Sequence, residues 1–128
     1  MDYVSAFLKL RPQIEKVNTG KLEGDFAIQV TMNDDDCHGI FYISYFGGAL
    51  GVEPFDYVDN TAAITLSKLS LTNLISRRSK VEKLLDNGKL QILGNTDVVK
   101  MFFDAMPEPE AKIQVKKSGK KVVKSKKK

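Results

Sequence analysis

Residues 96–106 constrain the chain more than any other segment. Read as one α-helix, they set Asp97, Lys100 and Asp104 on a single narrow stripe. At about 100° per residue, Val98, Val99, Met101, Phe102, Phe103, Ala105 and Met106 then spread over roughly 200° of the circumference. A helix docked flat on a core needs about half that width. Something must cover the excess: a partner, a deep groove or a bound lipid.

This helix ends a stretch from Thr61 that reads as strand, helix, helix, strand, helix. Ala62-Ala63-Ile64-Thr65-Leu66 runs into Leu69, Leu71, Leu74 and Ile75; a second short helix carries Val81, Leu84 and Leu85; Gly88-Lys89-Leu90-Gln91-Ile92-Leu93-Gly94 follows. Ser67 and Asn95 stand where helix caps belong, and Ser79 with Glu82 has capping-box spacing.

Upstream, Tyr3, Val4, Phe7, Leu8, Ile14 and Val17 predict an amphipathic helix. Pro12 should kink or restart it, and Asn18-Thr19-Gly20 should close it. Phe26 to Met32 alternates as a half-buried strand with Phe26, Ile28, Val30 and Met32 inward. Asn33 to Asp36 makes a turn, and Gly39 to Phe46 returns as the second strand of an antiparallel hairpin. Both faces of that strand are apolar or aromatic, so its inward parity stays open. Leu50-Gly51-Val52 predicts a short third strand before Pro54.

A chain of 128 residues suits one domain. Its net charge of +4 conceals two unequal parts. Of the 20 basic residues, nine are lysines from Lys112 onward, where there is no acid; the other 11 face all 16 acids. Residues 1–111 thus carry −5 and form the expected domain, while 112–128 carry +9 and form an expected disordered tail. The single cysteine, Cys37, excludes an intrachain disulfide and favours a reducing compartment. No basic-then-apolar leader and no run of about 18 apolar residues is present, so a cytoplasmic protein without a spanning helix is expected.

The cluster Asp34-Asp35-Asp36-Cys37-His38 is the one place with catalytic residue types. Neighbouring residues on an extended chain point in opposite directions, and no second Cys or His completes a transition-metal site. A solvated hairpin turn is the expectation, with no catalytic residue, metal or cofactor. Arg77-Arg78 with Lys80 and Lys83 could attract an anion or form a plain polar turn between helices. The tail lysines Lys116, Lys117, Lys120, Lys121, Lys124, Lys126, Lys127 and Lys128 could solubilise, tether the chain to anionic lipid, or contact nucleic acid non-specifically. Without interleaved aromatic residues, specific single-strand binding is disfavoured. On periodicity alone, the apolar excess of residues 96–106 fits core, dimer interface or cavity.

Ala63-Ile64-Thr65-Leu66-Ser67, the Leu-rich helix, the second short helix, then Gly88-Lys89-Leu90-Gln91-Ile92-Leu93-Gly94-Asn95 and the helix TDVVKMFFDAM resemble the sterol-carrier-protein-2-like, or nonspecific lipid-transfer, domain. The resemblance is clear over 61–106 and looser over the N-terminal helix and the 26–46 hairpin. It implies an α+β fold: a five-stranded, mostly antiparallel sheet with helices on one face, enclosing a hydrophobic tunnel for acyl chains, acyl-CoA, phospholipids or sterols. The last helix would be the lid. By motif position the lining would be Ile64, Leu66, Leu71, Leu74, Ile75, Leu84, Leu85, Leu90, Ile92, Val98, Phe102 and Met106. The chain departs from the family pattern at Leu93, where a basic residue is frequent, and at Asn95, where Asp is. Residues 46–60 do not align, and the C-terminus reads Lys-Lys-Lys rather than the peroxisomal Ser-Lys-Leu.

The function implied is non-enzymatic lipid binding or transfer, with the tail near anionic membranes. Two alternatives stand beside it. One is an interaction or dimerisation module of the same fold with a filled core. The other is a nucleic-acid-associated protein acting through its lysines.

Overall fold

Alternation along β1 (Phe26–Met32) organises the sheet. Phe26, Ile28, Val30 and Met32 are all buried on one face, as the period of two requires. The computed structural model describes residues 2–57 and 59–107. The second strand, β2 (Gly39–Phe46), pairs antiparallel with β1, setting Phe41 opposite Val30 and Ile43 opposite Ile28. That register settles the parity left open by sequence: Phe41 and Ile43 point inward and are fully buried, and Tyr42 and Ser44 point outward. Gly47 and Gly48 both have positive φ (58° and 82°), which a tight two-residue hairpin turn demands. The edge strand β3 (Ala49–Glu53) follows, with Val52 opposite Ile43.

Next in the chain, β4 (Ala62–Leu66) lies on the other side of β1 and runs parallel to it, with Ile64 beside Val30. The last strand, β5 (Leu90–Gly94), is antiparallel to β4, and the order is β3-β2-β1-β4-β5. The sheet is therefore mixed, which corrects the mostly antiparallel sheet expected. The reason is topological. β3 runs in the same direction as β1, so a β4 that also runs that way needs a connection that travels back along the sheet. Tyr57 marks its course over the outer face: its ring meets Tyr42 at 5.1 Å and stacks on Phe46 at 6.3 Å, and its N–H donates to Gln29 Oε1.

Among the described residues, four α-helices supply most of the rest of the core, with Val17, Leu22, Cys37, Ala105 and Met106 added from the segments between and after them. In α1 (Tyr3–Ile14), Asp2 caps the start by accepting from Ser5 N–H at 2.8 Å, and Ala6, Phe7, Leu10 and Ile14 are buried. The helix runs through Pro12 as one element, so it does not restart there. Pro12 is exposed, and so is Leu8 four residues before it, at 60%, so the carbonyl that lacks a donor lies on the solvent side. Asn18 caps a separate short 3-10 helix, Thr19–Lys21, rather than closing α1. Ser67 caps α2 (Lys68–Ile75) as expected. The third helix, α3 (Val81–Asp86), has Lys80 as its N-cap and no side-chain cap. It starts one residue later than the Ser79–Glu82 box would need, so that box does not form. Asn95 accepts from Val98 N–H at 3.1 Å and starts α4 (Thr96–Asp104), which ends two residues short of the expected Met106.

The buried residues of all four helices join the inward sheet row in one apolar cluster. Phe7 of α1 meets Phe41 of β2 at 5.4 Å, and Phe102 of α4 meets Phe26 of β1 edge-on at 6.3 Å. The lysine tail expected over 112–128 lies outside the described residues.

Candidate functional site

The twelve residues expected to line a tunnel are brought together between sheet and helices. Nine of them (Ile64, Leu66, Leu71, Leu74, Ile75, Leu84, Leu90, Phe102 and Met106) are at most 5% exposed. Leu85, Ile92 and Val98 are half-buried against the same cluster. Side chains that water barely touches have other atoms against them on nearly every side. The layer is thus closed along these residues.

The wide apolar arc of α4 is covered by the molecule itself. Val99, Phe102, Phe103, Ala105 and Met106 are buried, and Val98 and Met101 are half-buried. The charged stripe faces out; Lys100 pairs with Glu82 of α3 at 3.7 Å, a largely exposed contact worth at most about 1 kcal/mol.

The Asn95 cap ties the start of α4 to the sheet by donating its N–H to the Thr61 carbonyl at 3.1 Å, and further ties hold the C-terminal end, where helix carbonyls lose their intrahelical donors. Arg77 Nη1 donates to the Asp104 carbonyl at 2.7 Å and to the Met106 carbonyl at 3.2 Å. The Asn18 N–H donates to the intervening Ala105 carbonyl at 2.9 Å. Two distant loops therefore cap three consecutive carbonyls, and the Arg77 cation also suits the negative end of the helix. Arg77 sits at the end of α2 with φ +63°, the left-handed conformation of a Schellman motif. Its N–H donates to Leu74 O and that of Arg78 to Asn73 O. Glycine usually occupies that position; arginine accepts the strain and reaches α4.

Beside this tie lies a cleft of about 210 Å³. Leu74, Val81 and Phe103 make its floor, and Arg77, Ser79, Lys80 and Asp104 its rim. Of the twelve expected lining residues only Leu74 reaches it. Arg77 and Lys80 belong to the basic group singled out as an anion candidate; Arg78 and Lys83 do not line the cleft. Val81 and Phe103 were legible as apolar helix positions, but nothing local marks them as a cleft floor. A second cleft of about 240 Å³, lined by Asn33, Ser67, Leu69, Ser70, Gly88 and Lys89, flanks the start of α2.

The acidic turn is tied to the fold. Asp34 Oδ1 accepts from Lys68 N–H at 2.7 Å, which holds the turn against the α2 start. Ligand-type atoms of Asp34, Asp36 and Cys37 lie within 4.8 Å of one another, and His38 is not in that group. Burial pushes the Cys37 thiol up from its ordinary pKa, and the charges of Asp34 and Asp36 add to the effect. A thiol so disposed is a poor nucleophile. Leu93, 76% exposed on β5, occupies an outward position. Among the described residues no helix is long and apolar enough to cross a membrane.

No family model matches the sequence, and no curated protein matches it. Solved structures match the fold at low identity. The UbiJ-SCP2 ubiquinone synthesis protein is 14% identical with TM-score 0.62, the alignment covering 80% of this chain and 92% of that one. Palmitated SCP2L2 from Aedes aegypti is 12% identical with TM-score 0.59, covering 84% and 96%. The stereoselective inverting sec-alkylsulfatase Pisa1 from Pseudomonas sp. is 15% identical with TM-score 0.64, covering 73% of this chain. This chain spans only 15% of that sulfatase's length.

Proposed function

We propose that this chain, which has the fold of the sterol-carrier-protein-2-like domains, is a non-enzymatic carrier that holds an acyl lipid between its sheet and its helices. The observation that carries the reading is how α4 is attached. Along the sheet it makes apolar contacts, and among the described residues its long-range hydrogen bonds lie at its two ends: Arg77 and Asn18 on the carbonyls of 104–106, and the N–H of the Asn95 cap on the Thr61 carbonyl. Replacing side-chain contacts by methylenes therefore breaks no hydrogen bond along the helix. Each buried methylene contributes about 0.8 kcal/mol, so a dozen supply about 10 kcal/mol to offset the cost of parting the layer. The palmitated SCP2L2 neighbour lends support from the fold.

Such a site would be loosely specific, since methylene burial does not discriminate head groups. The lysines from Lys112 onward would hold the carrier near anionic membranes, each adding on the order of 1 kcal/mol close to the surface. Cytoplasmic residence and transfer between membranes belong to the same proposal. Native mass spectrometry of freshly purified protein should reveal lipid adducts, and a fluorescent fatty acid should bind and be displaced. A clean apo mass with no probe uptake would sink the carrier reading.

A second reading is favoured by the closed layer: the same fold as a packed interaction module. The near-zero exposure of Ile64, Leu66, Leu71 and Phe102 fits it. It predicts a protein that takes up no lipid at any concentration short of unfolding. Under either reading α4 has little left with which to dimerise, because its apolar side chains are turned into its own core.

A further inference from the structure

We propose that β5 is an open sheet edge on which a second copy of this chain pairs, antiparallel and across a two-fold axis, so that two five-stranded sheets become one continuous sheet. The inference is independent of what the core holds.

Backbone direction is the first argument. Along a strand the N–H and C=O groups of successive residues point alternately to the two sides. The Leu66 carbonyl accepts from Asn33 N–H at the end of β1, so the even residues of β4 turn their backbone groups to β1 and the odd ones to β5. Thr61 O, which accepts from Asn95 N–H, has the parity this requires. Opposite Ala63 and Thr65 stand Leu93 and Gln91, which therefore bond to β4. The backbone groups of Leu90, Ile92 and Gly94 point the other way, off the sheet. Among the described residues no other segment bonds to them.

The second argument is how differently the two edges are guarded. At the far edge, β3 ends in Glu53, held by Arg11 of α1 at 2.9 Å, and Pro54 follows. A charge and a proline are what keep an edge strand from recruiting another chain. From Leu90 to Gly94, β5 has neither. It carries Leu93 instead, at 76% the most exposed large apolar side chain among the described residues.

What fits this edge is the edge itself. Antiparallel pairing with Ile92 opposite its own counterpart sets Leu90 opposite Gly94 and engages every outward N–H and C=O of the strand. Charge selects this direction. Lys89 precedes β5 and Asp97 follows it, both exposed. Across a two-fold axis the start of one strand lies beside the end of the other, so each Lys89 approaches the other copy's Asp97. A parallel pair would set lysine beside lysine and acid beside acid. On the outer face, Leu93 lies opposite the other copy's Gln91, in the non-hydrogen-bonded position where side chains come closest. The two Leu93 side chains are then diagonal neighbours across the axis, and each helps take the other out of water.

The test is sedimentation velocity of the full chain over a series from about 1 µM to about 500 µM. One strand pair is a small interface, so the wild type should pass from monomer to dimer within that series. Leu93→Lys brings like charges together at the axis from an exposed site. It should raise the dissociation constant by about tenfold or more while the Tm of the dilute protein stays put. Leu8→Lys, at an exposed position on α1, should leave the dimer unchanged. Register is read from a mixture of Gln91→Cys and Leu93→Cys proteins under mild oxidation. It should yield a disulfide between unlike chains, and Gln91→Cys alone should yield none. A wild type that stays monomeric throughout leaves the edge to another occupant, or to none, and overturns the proposal. So does a dimer that Leu93→Lys fails to weaken, or a mixture without the disulfide between unlike chains.

Discussion

The guanidinium of Arg77 donates to the carbonyl of Asp104 at 2.7 Å across 27 residues of sequence. That bond fastens the end of α4 to the turn that joins α2 and α3. It is made by a residue whose own backbone is strained, at φ +63°. A non-glycine side chain in that region costs of order 1–3 kcal/mol, so the strain must be offset by what the side chain reaches.

Two substitutions separate strain from tie. Arg77→Ala removes both carbonyl contacts and keeps a Cβ in the left-handed region; it should lower stability by about 2 kcal/mol. Arg77→Gly removes the same contacts but relaxes the backbone, and should be more stable than the alanine variant by about 1 kcal/mol. Urea unfolding midpoints of the two proteins decide it. Identical midpoints would show that the backbone stores nothing there.

Gly94 closes β5 with φ +98°, and a Cβ on it would meet the Thr61 carbonyl oxygen at 2.6 Å. The obstacle is backbone, on the strand entry that pairs with β5, so it cannot swing aside. Gly94→Ala should therefore cost about 2 kcal/mol or more, combining left-handed strain with displacement of a strand. Thermal unfolding measures it. A Tm within a degree of wild type would mean that Thr61 yields without consequence.

Cys37 makes stability depend on alkaline pH. Its folded-state pKa is raised above the ordinary 9.0, chiefly by burial and then by the charges of Asp34 and Asp36. Between the unfolded and folded values the native state binds more protons than the unfolded chain, so stability falls as pH rises. The contribution of the neutral thiol is complete below about pH 9 and is lost as pH climbs through the raised value. Cys37→Ala should flatten this part of the stability curve relative to wild type, measured by urea unfolding from pH 7 upward. At pH 8 the native thiol should also react with a water-soluble disulfide reagent far more slowly than the unfolded chain. Parallel pH curves for the two proteins would contradict this account.

Much of the molecule was legible from local pattern. The alternation of Phe26, Ile28, Val30 and Met32 assigns β1 and its inward face, because a strand repeats every two residues. Ser67 and Asn95 mark helix starts, because a short polar side chain satisfies an orphan backbone donor wherever the helix ends up. The motif Gly88 to Asn95 pointed to the fold, and its second glycine stands where the backbone of β4 leaves no room for a side chain. Other features escaped local reading. The parity of β2 needed the pairing of Phe41 with Val30, since both of its faces are apolar. The Ser79–Glu82 spacing suggested a cap that the real start of α3 at Val81 does not use.

The chain by itself determined which residues are apolar and at what period, and hence the strands, the helices and the core they build. Those are consequences of geometry within a few residues, where 3.6 and 2 are the only periods that matter. Tertiary structure decided the rest. The parallel pairing of β1 with β4 follows from a connection that runs back along the sheet, and strand direction leaves no mark on side-chain alternation. The broad apolar arc of α4, which on paper asked for a partner, a groove or a lipid, is met by Phe26, by its own neighbouring helices and by loops that cap its end. Whether an apolar face is filled or open depends on how closely side chains from distant segments interlock, a quantity that no single segment contains.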